Sequence, residues 1–110
     1  MAFYRTDAPI RPIWEGIALR ITWSPRWLEY PDLDLAVAHL TVESEDRTPL
    51  PFTQTGFQSR FLSREDVERY GGPVDYVLAW LAHEADKPAW RQVIREQEKR
   101  RDEERQLSLF

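Results

Sequence analysis

The residues with the clearest binding chemistry are the last five, Gln106-Leu107-Ser108-Leu109-Phe110. Residues 95–105 before them are only Arg, Lys, Glu, Gln and Asp, so this stretch offers Leu107, Leu109 and Phe110 no apolar surface on which to fold back. Hydrophobic side chains left exposed in such a place call for a partner. An extended peptide of this kind sinks its aliphatic and aromatic side chains into a hydrophobic pocket. Its glutamine amide, donor and acceptor in one group, fixes the register. The plainer alternative is that residues 107–110 pack back on the domain or hold two copies of the chain together.

Other constellations carry weaker chemistry. Between Leu50 and Arg60, the hydroxyls of Thr53, Thr55 and Ser59 are placed to donate to an anion, with Arg60 supplying charge. The Gly-rich spacing and the lysine of a phosphate-binding loop are absent. A turn whose hydroxyls bond the local backbone is therefore the favoured reading. The acid pairs Asp32 with Asp34 and Glu43 with Glu45 have the composition of a Mg²⁺-dependent nuclease site, but both fall in turn-like segments where carboxylates serve solubility. His39 and His83 are the only histidines, and a metal site built on them would need to recruit Glu84 or Asp86. Trp14, Trp23, Trp27 and Tyr30, interleaved with Arg20 and Arg26, have the makings of a base-stacking platform. Trp23 continues an apolar strand face, however, and large rings dominate small cores, so the set is assigned to the core.

Composition narrows the classes further. There is no cysteine, which removes disulfides, thiolate zinc sites and a cysteine nucleophile. No metal or other cofactor is implied, and no set of nucleophile, base and orienting group stands out. A net charge of -4 argues against bulk electrostatic binding of nucleic acid, so any connection to DNA is expected to be indirect. The first residues lack the basic and apolar regions of a signal peptide, and no stretch reaches the length of a membrane span. The expectation is a cytoplasmic protein that does not engage a membrane.

The elements that position these residues follow from periodicity. A chain of 110 residues with 42% hydrophobic content supports one core. Residues 1–16 hold two prolines and read as an extended arm that packs through Trp14 or stays mobile. Ile17, Leu19, Ile21 and Trp23 alternate with polar neighbours as a half-buried strand, ended by Ser24-Pro25. Ala36, Ala38, Leu40 and Val42 mark a second strand over 35–43, and 57–62 a third, weaker one. Ser63 caps a short helix over 64–70, and Gly71-Gly72 ends it. Pro73 opens a helix over 73–84 with Val74, Val77, Leu78 and Leu81 on one stripe. Asp86 is placed to cap a last helix over 87–105, through Trp90, Val93 and Ile94. Its charged half carries opposite charges at helical spacing, such as Glu96 with Arg100, Glu98 with Arg101 and Asp102 with Arg105. The fold class is α+β: about three antiparallel strands within 17–62, followed by two or three helices packed on one face. The domain is expected to span 1–94, with 95–105 as a solvated stalk and 106–110 as a linear motif.

The terminal pentapeptide resembles the motif by which bacterial polymerases, repair factors and initiation regulators dock on the ring-shaped DNA sliding clamp. That pattern is Gln, Leu, Ser or Asp, Leu, Phe, and this sequence matches it at every position. The resemblance implies that Gln106 occupies a polar subsite and Leu107 a peripheral apolar one. It implies that Ser108 is a tolerant spacer and that Leu109 and Phe110 fill the deep pocket. The run from Leu50 to Arg60 is weakly similar to small proteobacterial proteins without assigned activity, and carries no function over. The expectation is a non-enzymatic adaptor that rides on the sliding clamp in replication or repair. A small binding domain whose tail mediates self-association is the second reading, and a metal-dependent nuclease the third.

Overall fold

The computed structural model describes residues 8–30 and 35–107. Four strands form one antiparallel sheet in the order β1-β2-β3-β4: β1 (Ile13–Trp14), β2 (Ile17–Tyr30), β3 (Leu35–Ser44) and β4 (Phe57–Ser63). Helices α1 (Arg64–Arg69), α2 (Pro73–Ala85) and α3 (Pro88–Leu107) follow. The class is α+β, with one strand more than the periodicity predicts.

The extra strand comes from the proline-rich arm. Glu15 and Gly16, at φ 45° and 79°, make a two-residue turn that folds Ile13–Trp14 back along Ile17–Ala18. Positive φ at both central residues matches the right-handed twist of the strands, and glycine is the residue that adopts it without a steric penalty. A bridge between Ile10 and Ile21 extends the pairing.

The dipeptide Ser24-Pro25, expected to end β2, does not. Ser24 pairs with His39 and Leu28 with Val37, so Pro25, Arg26 and Trp27 together stand opposite Ala38 alone. This bulge absorbs the proline, which has no N–H to give the ladder. It lies beyond the reach of β1, where the far edge of β2 has no partner strand among the described residues.

Strand alternation divides the sheet into two faces. Leu19, Ile21 and Trp23 of β2 and Ala38, Leu40 and Val42 of β3 are buried beneath the helices. Val67 of α1, with Val77 and Leu81 of α2, closes this core, and Leu50 enters it from the β3–β4 connection. Val74 and Leu78 complete the expected stripe at the core's margin. Ser63 stands at the N-cap of α1 but makes no side-chain capping bond. The amides of Gly71 and Gly72 close that helix by bonding Glu68 O at 3.0 Å and Val67 O at 3.2 Å. Asp86 is the C-cap of α2 rather than the N-terminal cap of α3, which begins on Pro88.

The third helix touches the domain only through its N-terminal part. Trp90 is buried against Trp14, ring centroids 6.1 Å apart. Val93, Ile94 and Gln97 are half-buried, and from Glu98 to Leu107 every residue is exposed. The helix thus leaves the domain as a rod. It stretches the molecule to 67 Å against 25 and 18 Å in the other directions. The radius of gyration, 17.5 Å, exceeds the roughly 13 Å of a compact chain of this length.

Two predictions follow from the packing. An added Cβ on Gly56, at φ 72°, would meet Ser44 Oγ at 2.5 Å and the Arg47 backbone at 2.6 Å, whereas one on Gly16 meets nothing within 4 Å. Gly56→Ala is expected to lower stability in urea by about 3 kcal/mol and Gly16→Ala by about 1 kcal/mol, since only the first adds a clash to left-handed strain. Equal losses would rule out the close approach at Gly56. Likewise Trp90→Ala should cost about 3 kcal/mol. Removal of residues 98–110 should change stability by less than about 0.5 kcal/mol; a larger loss would mean that the rod packs on the domain.

Candidate docking site

The pentapeptide begins on the last two residues of α3. Gln106 and Leu107 are exposed, and Leu107 presents 76% of its surface to solvent. Ser108, Leu109 and Phe110 lie outside the described residues. From Trp90, the last buried side chain of α3, seventeen residues of helix carry Leu107 about 25 Å outward at 1.5 Å per residue. Helix ends leave backbone groups unpaired, so a terminal turn unwinds at small cost when an extended conformation is required. Among the described residues the site is a pair of exposed side chains at the tip of a charged rod.

The hydroxyl-rich loop is engaged with itself. Thr53 and Thr55 place their Oγ1 atoms 3.0 Å apart, and both donate to the Phe57 carbonyl, at 3.0 and 3.3 Å. The Thr55 amide in turn donates to Thr53 Oγ1 at 3.3 Å. A reciprocal pair of backbone bonds between Leu50 and Thr53, 2.8 and 3.0 Å, pins the turn below them. Ser59 lies within β4 opposite Thr41. Arg60 turns to the helix side, its guanidinium 4.3 Å from the centre of the Trp80 ring, whose neighbour Phe52 stacks at 4.0 Å. The four residues Thr53, Thr55, Ser59 and Arg60 therefore do not converge on one ligand: two hydroxyls cap the start of β4, one sits on the sheet, and the cation covers an indole.

The acidic and imidazole candidates are also dispersed. Asp32 and Asp34 lie outside the described residues. Glu43 pairs with Arg47 at 3.4 Å, and Glu45 opens a 3-10 turn, Glu45–Arg47. Glu84 holds Lys87 at 2.9 Å, near the exposed His83. His39 sits instead between two rings, 4.6 Å from Trp27 and 4.8 Å from Phe61. Among the described residues no three His, Cys, Asp or Glu side chains gather as a metal site would require.

The aromatic set separates as well. Trp23 belongs to the core and Trp14 packs beside it on Trp90, as expected. Trp27 does not: the bulge turns it to the opposite face of the sheet, over His39. Sequence reasoning missed that grouping because residues 27, 39 and 61 meet only through strand register. No helix of the described residues is long and apolar enough to cross a membrane.

Comparison with known proteins separates the domain from the rod. No curated protein and no solved structure matches the chain. The family model of the KlcB third domain matches residues 9–90, about three quarters of the length. The match covers the sheet, α1 and α2, and stops at Trp90, the last buried side chain of α3. On that match, the chain belongs to the KlcB third-domain family.

Proposed function

We propose that this protein is a non-enzymatic accessory or regulatory factor that docks on the bacterial DNA sliding clamp through Gln106, Leu107, Ser108, Leu109 and Phe110, in replication or repair. The observation that carries the reading is the full pentapeptide match. Its placement supports the reading. The motif lies beyond residues 9–90, at the tip of a helix whose last ten described residues are all exposed, so gripping it disturbs nothing in the core. Docking orders Gln106 and Leu107 outside the helix, with the glutamine amide in a polar subsite and Leu109 and Phe110 in an apolar pocket.

Calorimetric titration of the purified protein against a bacterial sliding clamp tests this. Binding with a Kd on the order of micromolar, about -8 kcal/mol, is expected. It should weaken at least about tenfold in a Gln106→Ala/Phe110→Ala variant, the loss of roughly one well-placed anchor. Deleting residues 106–110 without effect on clamp binding would overturn the proposal. Absent binding, together with concentration-dependent sedimentation abolished by Phe110→Ala, would instead return the tail to self-association.

A further inference from the structure

The helices cover one face of the sheet, and among the described residues the other is open over β4: Phe61 is 63% and Phe57 38% exposed, and Arg20 and Ser59 are exposed beside them. The strand register arranges this face in rows. Trp27, His39 and Phe61, from β2, β3 and β4, form a triangle of rings, His39 lying 4.6 and 4.8 Å from the other two, which are 6.2 Å apart. Next to it stands a row of hydroxyls, Thr22 opposite Thr41 opposite Ser59. Beyond that come Arg20 opposite Glu43 opposite Phe57, with the Arg47 guanidinium 5.2 Å from the Phe57 ring centre.

From these rows we infer that the open face binds single-stranded nucleic acid. Phe61 and Phe57 lie on one strand, four residues or about 13 Å apart, with hydroxyl donors between them. The exposed Phe61 ring, and the part of Phe57 that Arg47 leaves free, accept bases by stacking, which every base permits, and the hydroxyls and guanidinium groups meet the backbone between them. Charge is less adverse to a polyanion on this side than on the helix side. Residues 64–86, the helix layer, hold six carboxylates against two arginines. The rows of the open face contribute Arg20 against Glu43, and the adjoining turn adds Arg47 with Glu45 and Asp46, Arg47 bridging Glu43 at 3.4 Å. A protein partner is the poorer fit, because the core of such an interface is continuous apolar surface, and here rings alternate with hydroxyls. The inference is independent of clamp docking and differs from the indirect link to DNA expected from net charge.

Fluorescence anisotropy of labelled oligothymidylate and oligouridylate of about twelve nucleotides tests it. Binding that weakens as salt rises is expected, and the ratio of the two affinities tells DNA from RNA as the preferred strand. Phe61→Ala should weaken binding about tenfold, and Phe61→Tyr, which keeps the ring, should restore it. Because Phe61 is mostly exposed, its loss should leave the thermal midpoint near that of the parent protein. The Gln106→Ala/Phe110→Ala variant should bind oligonucleotide like the parent, so failure here and failure at the clamp read out separately. Salt-independent binding, no binding, or binding indifferent to Phe61→Ala would each overturn the inference. A dimer that Phe61→Ala dissociates would assign the face to a second copy of the chain.

Discussion

β3 imposes its geometry on the whole molecule. It lies between β2 and β4, and its side chains must point alternately to the two faces of the sheet. Ala38, Leu40 and Val42 are wholly or almost wholly buried under α1 and α2, and this row fixes where the helices sit. Once it is in place, His39, Thr41 and Glu43 have to face the other way. A slip of one residue would bring a histidine, a threonine and a glutamate under the helices, at a cost far above any gain in ladder bonding. The polar and aromatic rows of the open face are therefore a direct consequence of how the core is held.

The connection between β3 and β4 serves the same arrangement. Ser44, buried at the end of β3, donates from Oγ to the Thr48 carbonyl at 2.6 Å, and its amide donates to the Gly56 carbonyl at 2.8 Å. These bonds draw the loop across the end of the strand, which lets Leu50 seal the core and starts β4 in register. The left-handed backbone at Asp46 and Arg47 is tolerated because both neighbours of the turn are fixed in this way. Residues weighed in the sequence as an anion site, with a satisfied turn as the favoured reading, are thus the structural finish of a strand connection.

Most of the core was legible in the sequence because it is written in local periods: two residues along 17–23 and 36–42, and helical spacing at Val74, Val77, Leu78 and Leu81. What was not legible depends on register or on unusual turn chemistry. Glu15 at positive φ is not among the residues that signal a tight hairpin, so β1 was read as an arm. Pro25 reads as a break because a bulge that shelters it leaves no local signature. Asp86 has the right type for a cap of either neighbouring helix, and only the positions of Glu84 and Pro88 decide between them. Of the candidate docking motif, composition and order were readable; that Gln106 and Leu107 finish a helix instead of lying in an extended tail was not, since the charged pairs of 95–105 fit either state.

That helix sets a geometric limit on anything that grips its tip. A flexible tether of similar length lets a domain wander through a broad volume around its attachment, with a modest effective concentration at any one spot. A continuous helix instead holds the domain at a standoff of about 25 Å and confines it to a narrow cone. Lengthening α3 by two residues would swing the sheet about 200° around the helix axis while moving it only about 3 Å along it. The orientation of the sheet, rather than its distance, is the quantity most sensitive to the number of residues between Trp90 and Gln106.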